Sequence, residues 1–260
     1  MSPSLRRIRV YPVKSFDGKD LDALRINGGA GLLVDREYRF VDDGGRVVNS
    51  KRCGATLIPI RSQYDIAADE LTLEAEGASV HAVLSVAPAP VEAWLSRRLG
   101  FNVHVERNAE RGFPDDEEAS GPTVVSESTL ETVASWFPSK SVEEIRRRFR
   151  ANLEIAGVPA FWEDKLLGSE GETHLFKIGP VRFEAVNPCA RCVVPSLDSH
   201  SGEAPDPDFA KRFARLRAET LPEGVEPSLF DHFYRLSVNT RVPAAEDGKI
   251  LSVGDPVAVL

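Results

Sequence analysis

Along the first hundred residues the apolar positions recur mostly at every second residue, the spacing of a half-buried strand. The segment 5–13 opens Leu5-Arg6-Arg7-Ile8-Arg9-Val10, with a period near two. Residues 36–41 and 46–49 flank Asp42-Asp43-Gly44-Gly45. That pattern predicts a hairpin whose glycines supply the positive φ of a tight turn. Residues 63–67 and 71–75 predict a second hairpin around Ala68-Asp69-Glu70, and 79–84 a further strand. The period then changes. Val91, Trp94, Leu95 and Leu99 share one helical face over 90–99, with Pro88 and Pro90 before it and Gly100 as the stop.

Residues 101–106 read again as a strand. A capping box, Ser128 with Glu131, predicts a helix to about Phe137, halted by Pro138. A second box, Ser141 with Glu144, predicts a helix to about Phe149. One more helix, about 208–218, places Phe209, Phe213 and Leu216 at i, i+4 and i+7. Strands are predicted over 152–155, 175–178, 181–186, 234–238, 250–253 and 257–260, with Pro188 breaking the third of them. Strand and helix do not alternate regularly, so a doubly wound parallel sheet is not expected. The fold class is mainly β with peripheral helices (α+β), its sheets barrel-like. The polar run 111–122, with acids at Asp115, Asp116, Glu117 and Glu118, reads as a solvated linker. It divides the chain into 1–110 and 123–260.

Composition narrows the functions. The 260 residues carry a net charge of −8, which disfavours non-specific nucleic-acid binding. No apolar run reaches a membrane span, and the N-terminus has no signal-peptide pattern. Three cysteines, Cys53, Cys189 and Cys192, are too few and too spread for a disulfide framework. A cytoplasmic, reducing setting is expected. Gly28-Gly29-Ala30-Gly31 lacks both the P-loop lysine and the dinucleotide spacing.

Two features stand out from this ordinary chain. One is Cys189-Ala190-Arg191-Cys192, just beyond a strand. It suits a zinc half-site completed by Cys53, His174 or His200, a redox dithiol, or a thiolate ligand to a soft metal carried by a cofactor. Spacing alone does not choose among these, although Arg191 would favour a thiolate. The other is a set of cations and hydroxyls near strand and helix ends. Lys14 and Ser15 follow the first strand, Arg36 follows Asp35, and Ser126 and Ser128 lie at a helix N-terminus. Arg148, Arg150 and Asn152 lie where a helix hands over to a strand. Together they would suit a phosphate. Each alone serves equally as a surface ion pair or a cap.

The motifs Tyr11-Pro12-Val13-Lys14-Ser15, Asp35-Arg36, Ser126-Glu127-Ser128, Arg148-Phe149-Arg150-Ala151-Asn152, Pro188-Cys189-Ala190-Arg191-Cys192 and the closing 250–257 stretch occur in this order over almost the whole chain. In this the sequence resembles the two-part MOSC proteins, an N-terminal MOSC β-barrel domain followed by the MOSC domain proper. The amidoxime-reducing component and its bacterial relatives are of this kind. The resemblance implies a molybdenum cofactor, a pterin dithiolene with a phosphate. It implies Cys192 as the protein ligand to molybdenum, and Lys14, Ser15, Arg36, Ser126, Ser128, Arg150 and Asn152 as contacts to the cofactor. The implied reaction is reduction of N–O bonds in N-hydroxylated compounds, with Asp198 as a proton relay. No iron–sulfur domain is expected within the 260 residues. Electrons would come from a separate ferredoxin-, flavin- or cytochrome-type donor. The alternative is a cofactor carrier or sulfur-transfer module, because MOSC domains also close molybdenum-cofactor sulfurases. The pyridoxal-phosphate half of those enzymes is missing from this sequence. The long polar stretch 199–207 is expected to influence substrate preference, and Cys53 to serve packing.

Overall fold

The alternating N-terminal segment forms the strand Ser4–Val10, with Leu5, Ile8 and Val10 buried in a shared core. The computed structural model describes residues 2–168, 174–203 and 206–260. In it this strand belongs to an eight-stranded sheet. The order is Val257–Val259, His174–Ile178, Val181–Ala190, Arg235–Arg241, Val124–Ser126, Leu153–Ala156, Ser4–Val10, Lys19–Leu21. Neighbours are antiparallel except Val124–Ser126 and Leu153–Ala156. That parallel pair needs a crossover, supplied by the helices Glu127–Trp136 and Val142–Phe149.

The strand at one side of this sheet also meets the other side. Leu5 N donates to Asp255 O at 2.8 Å, Gly254 N to Leu5 O at 2.8 Å, and Val257 N to Pro3 O at 3.0 Å. The sheet thereby closes on itself as a barrel, covering edge groups that would otherwise be free. A small sheet, Gly31–Leu32 with Ala23–Asn27 and Ile250–Ser252, packs its Leu24, Ile26 and Leu251 into the same core. Residues from the start of the chain and from its second half therefore share one interior.

A second core gathers Val13, Phe40, Leu73, Val91 and Leu95. It lies among the pair Tyr38–Asp42 and Val103–Arg107, the three-stranded sheet Arg61–Asp65, Glu70–Ala75, Ala78–Val83, and the helix Ala89–Leu99. The third core is aromatic. Phe149, Phe209, Phe213, Trp136 and Phe161 bring the two crossover helices against the helix Phe209–Glu219. The molecule is thus mainly β, with its helices at the periphery. Among the described residues no helix is long and apolar enough to cross a membrane.

Several elements differ from the pattern read along the chain. The turn at 42–45 forms, with Asp42 N donating to Arg46 O at 3.0 Å. Its return arm makes only one bridge, Val41 to Val47. Strand Tyr38–Asp42 pairs instead with the distant Val103–Arg107. Pro188 does not end its strand, which runs to Ala190. Register shifts on both sides of Pro188 remove the need for its missing N–H. The helix Ser50–Leu57 carries no strong apolar stripe and kinks at Cys53, so the pattern missed it. The helix at 127 is capped by Ser126, not Ser128: its side chain accepts from Thr129 N at 3.1 Å. The run 111–122 is no free linker. Gly121 N donates to Thr240 O at 2.8 Å, Phe113 N to Arg36 O at 2.9 Å, and Asn187 to Asp116 at 3.2 Å.

Candidate functional site

A cavity of about 920 Å³ opens where the barrel, the second core and the segment 115–121 meet. Lys14, Ser15, Arg36, Arg150, Cys189 and Cys192 all line it. Three of these residues hold left-handed backbone: Ser15 at φ 74°, Arg36 at φ 52° and Arg150 at φ 53°. Non-glycine residues there carry strain of roughly 1–3 kcal/mol each, tolerated where the surroundings impose it. Arg36 is imposed by its own N–H on Tyr11 O (2.8 Å) and its carbonyl under Phe113 N. Arg150 is the last residue after the helix Val142–Phe149 and closes it by donating its N–H to Arg146 O. The strained turns bring two guanidiniums and the Ser15 hydroxyl to the cavity from three separate parts of the chain.

Their electrostatics are unequal. Burial weakens the hold of Arg36 on its proton, but Asp35 and Asp115 outweigh it and raise its pKa. Arg150 is different. Burial lowers its pKa, and Tyr11 and Asp17 restore only part of the loss, while Arg36 and Arg9 add repulsion. Its guanidinium donates to Phe16 O at 2.6 Å and lies 4.0 Å from the centre of the Tyr11 ring. No carboxylate of the described residues pairs with it. Lys14 is paired: its Nζ lies 2.8 Å from Asp115 Oδ1 and donates to Phe113 O at 3.1 Å. Burial would raise the Asp115 pKa, yet Arg36 and Lys14 hold it below the ordinary carboxylate range. An acid from 111–122 thus sits where an external anion would sit.

Asn152 acts one layer away. Asn152 is fully buried and does not line the cavity. Its Oδ1 accepts from Thr123 N and Oγ1, and its Nδ2 donates to Arg9 O (3.0 Å) and Asp35 Oδ1 (3.2 Å). It steadies Asp35, which in turn faces Arg36. Ser126 and Ser128 do not line the cavity either. Ser126 caps its helix, and its N–H donates to Glu163 Oε2 at 3.2 Å. Ser128 Oγ donates to Val158 O at 2.9 Å. Glu163 is itself buried, with Oε1 unpartnered. Burial, and then the neighbouring Asp164, push its pKa up to about 7.

On the thiol side, Cys192 is exposed and its Sγ accepts from Val194 N at 3.5 Å. Arg191 turns away from it. Its guanidinium donates to Leu236 O, to Phe149 O at 2.9 Å and to Ser237 Oγ at 2.9 Å. Its work is to tie the cysteine loop to the barrel. Arg148, named with Arg150 and Asn152 among the candidate anion contacts, does the same for the loop beyond. It is buried, pairs with Glu144 at 2.7 Å and donates to Pro195 O and Leu197 O. Asp198 does not reach the cavity lining. Its carboxylate accepts from Ser201 N (2.8 Å) and His200 N (3.0 Å), bonds that hold its pKa down to about 2. These bonds engage the Asp198 carboxylate within its own turn, away from the cavity lining. Of the polar stretch 199–207, residues 204 and 205 lie outside the described residues. Among the described residues no three His, Cys, Asp or Glu side chains converge on a metal position. The zinc arrangement through Cys53, His174 or His200 is therefore not assembled. Cys53 packs against the second core.

The arrangement is one cavity with cations at one part of its wall and two thiols at another. Residues 117–258 match the MOSC domain, and residues 2–107 match the MOSC N-terminal beta barrel domain. The chain belongs to the MOSC family. Its curated relatives include molybdenum cofactor sulfurases. That of Drosophila grimshawi is 25% identical over 293 residues, covering all of this MOSC chain and 35% of the relative. That of Drosophila melanogaster is 26% identical, covering 86% of this chain and 31% of the relative. The MOSC chain therefore spans about a third of the length of these relatives. Among solved structures, the YUAD protein of Bacillus subtilis covers 99% of this chain and is covered over 94% of its own, at 12% identity and a TM-score of 0.40.

Proposed function

We propose that this MOSC protein binds a molybdenum cofactor in the 920 Å³ cavity and works as an oxidoreductase on N-hydroxylated substrates. The observation that carries the binding is Arg150. A desolvated guanidinium without a carboxylate partner among the described residues, beside Arg36 and Lys14, is stabilised by an incoming phosphate. The donor set fits the group: cations and the Ser15 hydroxyl for the phosphate and pterin, and a sulfur for the metal. Cys192 would hold molybdenum, since it is exposed at the cavity while Cys189 is half-buried in the strand. When bound, the cofactor supplies two-electron redox and oxygen-atom chemistry, and the protein supplies position and electrostatics. Lys14 and Arg36 would exchange Asp115 for the phosphate. Arg191 and Arg148 would keep the Cys192 loop fixed on the barrel. Electrons would come from a separate donor protein.

Metal and pterin analysis after expression in a host that makes the cofactor tests this. The wild type should carry molybdenum and pterin. Cys192→Ala should lose or weaken the metal, Arg150→Gln should reduce both, and Cys189→Ala should change little. Zinc without molybdenum in the wild type would overturn the proposal.

A second reading is favoured by the sulfurase relatives: a module that carries the cofactor, or transfers sulfur to it, without reducing a substrate. Turnover decides between them. Loaded protein that never reduces benzamidoxime or hydroxylamine analogues under a strong reductant supports the carrier.

A further inference from the structure

The outer part of the same cavity carries a second cationic group. Arg61, Arg147 and Lys51 line it. Arg61 Nη2 lies 3.5 Å and Arg147 Nη1 3.4 Å from one atom, His200 Nδ1. Arginine only donates, so both guanidiniums face this one nitrogen as donors. Two guanidiniums are thus gathered around one imidazole ring, and no carboxylate of the described residues lies in an ion pair with either. The three side chains come from a strand of the second core, a crossover helix and the loop after Cys192.

A second observation points the same way. Ser199, next to His200, is 7% exposed and lines the cavity, and its Oγ has no hydrogen-bond partner. A buried hydroxyl without a partner is destabilising. The loop that presents it is held firmly. Asp198 accepts from three groups of the loop, and Gly202 packs so closely on Gly54 O that a side chain at 202 would overlap it. The Ser199 hydroxyl is therefore held in place on a cavity lining that it shares with the two guanidiniums.

We infer that Arg61, Arg147 and Ser199 form an oxyanion subsite, separate from Lys14, Arg36 and Arg150, that binds a carboxylate or phosphate group of the substrate. A planar guanidinium matches either oxyanion. The acids that also line the cavity, Asp17, Asp115, Asp116 and Glu117, pair with none of these three residues. Assigning the anion to the substrate rests on the cofactor occupying the other cationic group; the binding of an oxyanion does not.

The test follows the His200 ring by NMR in the cofactor-free full chain as inorganic phosphate is added, with His200→Gln fixing the assignment among five histidines. The ring signals should shift saturably in the wild type and in Lys14→Gln alike. Ser199→Ala should weaken that titration roughly ten-fold, and Arg61→Gln with Arg147→Gln should abolish it. A ring unmoved by phosphate, a response that survives the double substitution, or one that vanishes with Lys14→Gln would overturn the subsite. A parallel arm measures pterin bound to the Arg61→Gln, Arg147→Gln protein from a cofactor-producing host. Wild-type pterin content supports a substrate anion. Lost pterin would give the site to a phosphate of the cofactor and overturn the assignment to substrate.

Discussion

Asp115 and Arg150 decide the character of the cavity, and they do so in opposite ways. Asp115 comes from a run of four acids and reaches Lys14 and Arg36. It neutralises cations that an anionic ligand needs, so the two compete. Asp115→Asn should tighten binding of inorganic pyrophosphate by up to about five-fold, the value of one partly exposed ion pair. Calorimetry at low salt reads this directly, and unchanged or weaker binding would remove Asp115 from the anion position. Arg150 pairs with no carboxylate among the described residues, and its partly desolvated charge is the residue-level reason to expect a ligand. Ser126 shows the converse. Its position beside Glu127 and Ser128 suggested a cofactor contact, but its hydroxyl is committed to Thr129 N. Ser126→Ala should lose about 1 kcal/mol of stability in urea unfolding, the usual loss of a helix cap. Its pyrophosphate affinity should stay within two-fold of wild type, and a larger drop would return Ser126 to the site.

At the level of elements, the site depends on how loops are fastened to the barrel. The strand Val181–Ala190 passes through Pro188 and delivers Cys189 and Cys192 to the cavity wall. The fork of Arg191 then holds the loop to Leu236 O, Phe149 O and Ser237 Oγ. Lysine has the charge but not the fork. The loop 197–203 rests on the helix Ser50–Leu57 through Gly54 and Gly202. Gly202 has φ 65°, a left-handed conformation, so a side chain there meets both strain and Gly54 O. Gly202→Ala should destabilise the fold by more than about 1 kcal/mol in chemical unfolding. It should also weaken the phosphate response of the His200 ring. A fully stable Gly202→Ala protein would show that this contact is loose.

For the whole molecule, the buried acids set the pH response. Glu163 keeps its proton to about pH 7 in the folded state, against about 4.5 for an ordinary glutamate. Between those values the unfolded chain has lost a proton that the folded chain retains. Stability therefore falls as pH rises from about 4.5 to about 7, and this contribution levels off above that. Glu163→Gln keeps an acceptor for Ser126 N and removes the titration. It should flatten the decline of the melting temperature across that interval, and an unaltered slope would place its origin elsewhere. The net charge of −8 describes the molecule from outside, whereas the cavity wall carries Lys14, Arg36, Arg150, Arg61 and Arg147. Salt should thus weaken phosphate binding while leaving the fold largely intact, because the cores are apolar.

The sequence by itself determined the strand-rich class, the helices at 90–99 and 142–149, and the motif order that marks a MOSC protein. Those properties are local: a period of two or 3.6, a serine followed by glutamate, a proline or glycine at an end. It also supplied Lys14, Ser15, Arg36, Arg150 and Cys192, which the fold brings to one cavity. Tertiary structure alone decided that Asn152 sits behind the cavity lining, that Ser126 and Ser128 bond away from it, and that Asp198 accepts its hydrogen bonds within a turn. It alone decided that Asp115 faces Lys14, and that Arg61, Arg147 and Ser199 meet near His200. Each of these depends on which partner satisfies a polar group. Partners distant in the chain become neighbours only when the barrel closes and the two other cores pack against it.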